Sequence, residues 1–190
     1  MKFSTSKTEL QKALQKLSKA TPTRSTLPIL SCVYIEVFDN KTILRTTDLE
    51  ITIQVEIATS YEEKGSAALP LKTLLEITNE LPEVRLTISI DEKHKATIET
   101  DLGKYYIMSR PSEEFPTSPK QKKSNAIFIS GMVLKNIIES TSFAVSQDEL
   151  KPSLTGVLFK FSEKGFTAVA TDGHRLVKHS RSDFSTDSFN

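Results

Sequence analysis

Apolar residues recur along this chain in two periods, near 3.6 and near 2, and the switches between them outline its elements. Residues 2–6 alternate as a short strand, and residues 8–19 carry Leu10, Ala13, Leu14 and Leu17 on one stripe of a helix. After the turn-rich Thr21-Pro22-Thr23-Arg24-Ser25, alternation over 31–38, 42–46 and 51–58 predicts three successive antiparallel strands, completing one β-α-β-β-β unit. A more diverged unit follows. It has a strand over 66–69, a helix over 71–81 with Leu74, Leu75 and Ile77 inward, and strands over 84–90, 95–99 and 104–109. Between Pro111 and Ser124 three prolines and no apolar periodicity predict an exposed interdomain connection. The pattern then restarts with a strand over 125–128, a helix over 132–141, and strands over 155–161 and 165–171. It gives way near Lys178 to polar, serine-rich text.

The restart is a repeat. Leu27 to Glu50 laid over Lys151 to His174, an offset of 124, pairs Pro28 with Pro152, Leu30 with Leu154, Val33 with Val157 and Thr47-Asp48 with Thr171-Asp172. Upstream, Leu10 falls on Leu134, Leu14 on Ile138, Ser18 on Ser142 and Ala20 on Ala144, so a unit of roughly 50 residues occurs twice. The fold class expected is α+β, built by duplication. The expected domains are 1–118, a linker at 119–125, and 126–190 as the first part of a second domain, which reads as a piece of a longer protein. Thr and Asp shared by both copies read as turn residues, whereas Gly173, His174 and Arg175, present only in the second, mark a changed role.

Charge adds little at the level of the whole chain. There are 25 Lys and Arg against 24 Asp and Glu in 190 residues, so attraction to phosphate depends on local clustering. Such clustering occurs on the first helix, where Lys7, Lys12, Lys16 and Lys19 face only Glu9 and Arg24 follows in the loop. That face reads either as solvated surface or as a set of phosphate contacts without base readout. Cys32, the only cysteine, sits among apolar strand residues and reads as a buried reduced thiol in a reducing, cytoplasmic setting. No stretch reaches the ~18 apolar residues of a membrane span. Nucleophile elbows, phosphate loops, dinucleotide fingerprints and metal-ligand spacings are absent from the sequence, and no cofactor is expected. The one dense polar cluster, Thr171-Asp172-Gly173-His174-Arg175, lacks the nucleophile that an acid-base reading needs.

Several of these segments together resemble bacterial sliding clamps, the beta subunits of DNA polymerase III. They are Met1-Lys2-Phe3, Arg24 with Thr26-Leu27-Pro28-Ile29-Leu30, Thr47-Asp48-Leu49-Glu50, Phe115-Pro116, Leu154-Thr155-Gly156-Val157 and Ala170-Thr171-Asp172-Gly173-His174-Arg175-Leu176. The resemblance implies a DNA clamp fold with antiparallel sheets outside and helices lining an inner face. It implies a non-enzymatic processivity factor, an accessory subunit of a DNA-directed DNA polymerase, that encircles double-stranded DNA without sequence specificity. DNA contacts are implied at Arg24, Lys72 and Gln147. Where some relatives carry a tyrosine pair this chain has Lys151-Pro152, of which Lys151 could serve a phosphate; Lys12 and Lys16 join the same set.

Leu154, Thr171, Gly173, His174, Arg175 and Leu176 are implied to form part of a pocket for short hydrophobic motifs. These come from the polymerase III catalytic subunit, the clamp loader and other replication and repair proteins. Gly173 would admit a peptide backbone, and His174 and Arg175 would donate at the rim. Family dimers join head to tail through an edge strand that maps onto 104–109, with Tyr105 and Ile107 as apolar contacts. The reading that competes with this one is a non-catalytic interaction module that uses the same pocket and edge without encircling DNA.

Overall fold

A computed structural model of the chain describes residues 1–22, 25–39, 41–117, 129–148, 150–162 and 165–182. The chain divides into two compact units, Met1–Pro119 and Lys120–Asn190. The expected linker at 119–125 and strand at 125–128 lie outside the described residues.

The first unit opens with β1 (Lys2–Ser6) and α1 (Lys7–Leu17), where Ser6 caps the helix by accepting from the Glu9 amide at 3.2 Å. Leu10, Ala13, Leu14 and Leu17 are all buried, and full burial of each leucine contributes roughly 1.5–3 kcal/mol. β2 (Cys32–Phe38), β3 (Lys41–Thr47) and β4 (Thr52–Ala58) follow as an antiparallel meander. The chain then forms β5 (Ser60–Glu63), β6 (Gly65–Pro70), α2 (Leu71–Glu80), β7 (Arg85–Ile90), β8 (Lys95–Thr100) and β9 (Gly103–Met108).

The two β-α-β-β-β units do not merely pack together, as the sequence pattern suggests; they exchange their first strands. β1 of the first unit pairs with β7 of the second, in a five-stranded sheet ordered β5-β1-β7-β8-β9. β6 of the second pairs with β2 of the first, in a four-stranded sheet ordered β4-β3-β2-β6. Each strand carries apolar residues on one face, and those faces meet in a shared core. Phe3, Leu14, Ile35, Leu44, Leu69, Leu74, Ile88 and Ile98 in it are almost fully buried and come from both sheets and both helices. A paired bridge ties the sheets further, Ala68 N to Arg110 O at 3.0 Å and Arg110 N to Ala68 O at 2.8 Å.

Two expectations for this unit change. β5, Ser-Tyr-Glu-Glu, is a strand despite its polar composition, because β1 supplies its backbone partners and Lys2 and the N-terminal ammonium pair with Glu62 and Glu63 at 2.7 and 3.3 Å. The stretch after Pro111 is not wholly exposed. Phe115 is buried against Tyr34, ring centroids 5.3 Å apart, in a cluster with Ile29, Leu30, Cys32 and Ala68 on the outer face of the four-stranded sheet. Cys32 is buried there, and burial pushes its thiol pKa up, away from reactivity.

The second unit contains α3 (Gly131–Thr141) and a sheet ordered β10 (Leu158–Ser162), β11 (Gly165–Thr171) and β12 (Leu176–Arg181). Shifting by 124 lays α1 on α3 and β3 on β11, bound for bound. β10 starts at Leu158 rather than 155, because Thr155 closes a 3-10 turn over Pro152–Leu154 by donating its hydroxyl to Pro152 O at 2.9 Å. A further strand, which the sequence reading did not name, follows the turn and reaches past Lys178 into the polar text. β12 runs to Arg181, its backbone pairing with β11 and His179 Nδ1 lying 3.0 Å from Ser140 Oγ.

The copies differ in cover. β2 has β3 on one side and β6 on the other, whereas β10 pairs with β11 alone among the described residues. Leu14 is fully buried beside α2, while its counterpart Ile138 is 41% exposed. Among the described residues no helix is long and apolar enough to cross a membrane.

Candidate functional site

The turns after β3 and β11 are built alike. In the first copy Thr47 Oγ1 donates to Ile51 O at 2.9 Å and accepts from Leu49 N at 3.0 Å, and Asp48 Oδ1 accepts from the Glu50 and Ile51 amides at 3.0 and 2.7 Å. In the second, Thr171 Oγ1 donates to Arg175 O at 2.7 Å and accepts from Gly173 N at 3.1 Å, and Asp172 Oδ1 accepts from the His174 and Arg175 amides, both at 2.9 Å. The shared Thr and Asp are therefore turn residues by their hydrogen bonds. The residue between them and the next strand is left-handed in both copies, Leu49 at φ 80° and Gly173 at φ 92°. Gly173 thus has a backbone reason for being glycine. Its counterpart Leu49 holds the same angle at a steric cost and is 59% exposed.

What the second turn adds is a cation and a ring. Arg175 Nε donates to Asp172 Oδ2 at 2.9 Å, and its guanidinium lies 5.7 Å from the Phe143 ring centroid. Acceptance from the Arg175 and His174 amides, then the ion pair, holds the Asp172 carboxyl down to about 2. A carboxylate so committed is a poor base, and it meets His174 only through that residue's amide, so the acid-base reading finds no geometry here.

These groups wall a cleft of about 450 Å³ with Phe143, Gln147, Lys151, Asp172, His174 and Arg175 in its lining. Residues that the resemblance divides between DNA contact and peptide contact thus face the same space. Leu154, Thr171, Gly173 and Leu176 are not in that lining. Leu154 is half-buried and its carbonyl accepts from Ser146 N at 2.9 Å, Thr171 spends its hydroxyl on the turn, and Leu176 is 65% exposed at the start of β12. Pro152 opens the 3-10 turn beside Lys151. Sequence reasoning missed Phe143. Its signal was the mismatch with Lys19 at the same place in the repeat: an exposed lysine in one copy is a 57% exposed aromatic in the other.

Lys12 and Lys16 are exposed on α1 and have no ion-pair partner among the described residues. α2 lies beside α1, joined by Gln11 Nε2 to Asn79 Oδ1 at 2.7 Å, and its Lys72 is 89% exposed with Glu76 at 3.9 Å. The repeat does not copy the lysine face, because Asn136 and Ser140 of α3 replace Lys12 and Lys16. Arg24 lies outside the described residues. Among the described residues β9 is an edge strand of its sheet, as expected. Tyr105 and Ile107 share the face of Ile98 and Ala96 toward the core, and Ile107 packs against it. Tyr106 and Met108, on the opposite face, are 57% and 62% exposed, with Lys95 Nζ 4.0 Å from the Tyr106 ring centroid.

Residues 1–119 match the family described as DNA polymerase III beta subunit, N-terminal domain, and residues 128–186 match its central domain. The chain belongs to the DNA polymerase III beta subunit family. It is 30% identical to the beta sliding clamp of Chlamydia muridarum over 178 residues, which cover 94% of this chain and 49% of that protein. The sliding clamp of Bacillus subtilis superimposes with a TM-score of 0.92 at 30% identity, covering 96% of this chain and 50% of that one. A Pseudomonas aeruginosa clamp bound to griselimycin gives 0.88 at 30% identity over 96% of this chain and 50% of that one. The chain spans about half the length of the curated relatives it matches. The clamp fold expected from the sequence is thereby shown.

Two outcomes follow from the twin turns. Leu49→Gly relieves a strained angle and raises the stability of the first unit by about 0.5–1 kcal/mol, while Gly173→Ala lowers that of the second by about 1 kcal/mol, read by urea unfolding with a probe in each unit. Asp172 has a folded pKa below the ordinary 3.8, so its contribution is complete above that value and is lost as pH falls toward about 2. The amide resonances of His174 and Arg175 should titrate together with a midpoint near the lower figure, and Asp172→Asn should abolish that titration.

Proposed function

We propose that this chain is the clamp portion of a replicative processivity factor. In this reading it is a non-catalytic accessory to a DNA-directed DNA polymerase that holds double-stranded DNA topologically and acts in the cytoplasm without a cofactor. The observation that carries this is a solved-structure likeness over 96% of the chain to a protein named as a sliding clamp. Residues 1–118 would be the first clamp domain and 126–190 the first part of the second, joined through 119–125. The exposed ammonium groups of Lys12 and Lys16, with Lys72 alongside, would face phosphates along the duplex, giving attraction without base readout. Arg24, Gln147, Lys151 and Pro152 complete the proposed DNA set.

The cleft at His174 and Arg175, with the neighbouring Leu154, Thr171, Gly173 and Leu176, would receive short peptides of the polymerase III catalytic subunit, the clamp loader and other replication and repair proteins. Leu176, exposed at the start of β12, would add apolar surface next to the cleft, and the half-exposed Arg175 guanidinium would supply donors. The β9 edge, with Tyr105 and Ile107, would join a second molecule head to tail. Main-chain pairing along a strand edge suits that role, and exposed Tyr106 and Met108 enlarge the apolar surface available to it.

The test uses the full-length protein loaded on nicked circular DNA. Retention should vanish when the circle is linearised; retention on both forms would instead support an interaction module that does not encircle DNA. Lys12→Glu with Lys16→Glu should reduce the salt slope of DNA binding by roughly one unit per lysine while leaving the far-ultraviolet spectrum unchanged.

A further inference from the structure

A second cleft, in the first unit, is built from hydrogen-bond donors. Its volume is about 240 Å³, and its lining includes Ser4, Ser6, Thr59, Ser60 and Arg85 but no carboxylate. The strand register explains how these residues come together. Ser6 stands opposite Arg85 across the β1–β7 pair, and Ser4 stands opposite Ser60 across the β1–β5 pair. Residues two apart on β1 share a face, so all four lie on one side of the sheet. The Arg85 guanidinium crosses above β1 and donates from Nη2 to Ser60 Oγ at 2.7 Å. Among the described residues Arg85 has no ion-pair partner.

The hydroxyls decide what the cleft can hold. Each carries one O–H and two lone pairs. Ser60 Oγ accepts from Arg85 and Ser6 Oγ accepts from the Glu9 amide at 3.2 Å, so each still has its proton to give. Ser4 and Thr59 are buried and pair with Thr87 and Thr42 at 2.8 and 2.9 Å, which makes them fixed walls. The start of α1 is already satisfied, Lys7 N by Val84 O at 2.9 Å and Thr8 N by Glu83 Oε1 at 3.4 Å, so it contributes no free amide. What remains is a guanidinium with N–H groups to spare and two hydroxyl protons around one small space. The one charged group in its lining is the Arg85 guanidinium, so its net charge is positive.

We propose that this cleft binds a free phosphate-class oxyanion, held by the Arg85 fork and by the Ser6 and Ser60 hydroxyls. Arginine suits the task because its planar fork can meet two oxygens at once, and charge-assisted bonds of this kind are the stronger ones. The site shares no residue with the proposed DNA set or the peptide cleft, so it stands or falls apart from the clamp reading.

The test is titration of the chain with inorganic phosphate at constant ionic strength against chloride, followed by two-dimensional NMR of the backbone amides and the Arg85 Nε–H. Saturable shifts confined to Ser4, Ser6, Ser60 and Arg85 and their sequence neighbours are expected. Arg85→Gln should weaken binding by about tenfold or more, and Ser60→Ala by about threefold, with the chloride spectra of both otherwise preserved. If Arg85→Gln disturbs the fold, Ser60→Ala carries the comparison alone. Shifts that rise linearly without saturating, shifts centred on the α1 lysines, or binding that Arg85→Gln or Ser60→Ala leaves unchanged would overturn the proposal.

Discussion

The reciprocal exchange of first strands is the constraint on which the first unit rests. β1 closes the sheet of β7, β8 and β9, and β6 closes the sheet of β2 and β3, so neither half can bury its apolar face without the other. Phe3 shows the consequence. Its strand belongs by sequence to the first half, but its backbone pairs with Ile88 of the second, and its ring lies in a core shared with Leu14, Leu44 and Leu74. An exchange of this kind fixes α1 and α2 side by side, since each helix directly follows an exchanged strand. It therefore sets which lysines, Lys12 and Lys16 on α1 and Lys72 on α2, are carried by neighbouring helices.

The duplication separates what the scaffold requires from what was altered upon it. Thr47-Asp48 and Thr171-Asp172 make the same hydrogen bonds, so those residue types follow from turn geometry alone. The left-handed residue is an exposed, strained leucine in one copy and an unstrained glycine in the other. Around the unstrained copy stand Arg175, His174 and the exposed Phe143, which share a cleft; 124 positions earlier the sequence has Glu50 in place of His174 and Lys19 in place of Phe143. The lysine face shows the reverse, present on α1 and absent from α3. The two copies thus differ in surface chemistry at different places, while α1 and α3, and β3 and β11, keep the same bounds.

Periodicity and the repeat made most elements legible, α1 and α3 above all, because an amphipathic stripe and a matching copy agree on them. The strand exchange was not legible, since a period of 2 tells which face of a strand is buried and not which strand lies beside it. β5 and β12 were missed for a related reason. Their residues are mostly polar, and it is backbone pairing with β1 and β11 that makes them strands. Phe115 sits in a proline-rich stretch with no periodicity, so its burial against Tyr34 could be found only in three dimensions. Of the site, the Thr-Asp-Gly-His-Arg run was visible as a cluster of unusual chemistry. That Gln147, Lys151 and Phe143 face the same space as His174 and Arg175 depends on how the 3-10 turn at Pro152–Leu154 folds back, which no spacing rule supplies.

If the exchange governs the first unit, its two sheets must open together. Native-state hydrogen exchange on this unit tests that claim most directly, by comparing the opening free energies of core amides in the four-stranded sheet, such as Ile35 and Leu44, with those in the five-stranded sheet, such as Phe3 and Ile88. The interlocked account predicts one shared value, with both sets falling in parallel as denaturant is added. A four-stranded sheet that opens at a distinctly lower free energy while the β7–β9 amides stay protected would contradict it.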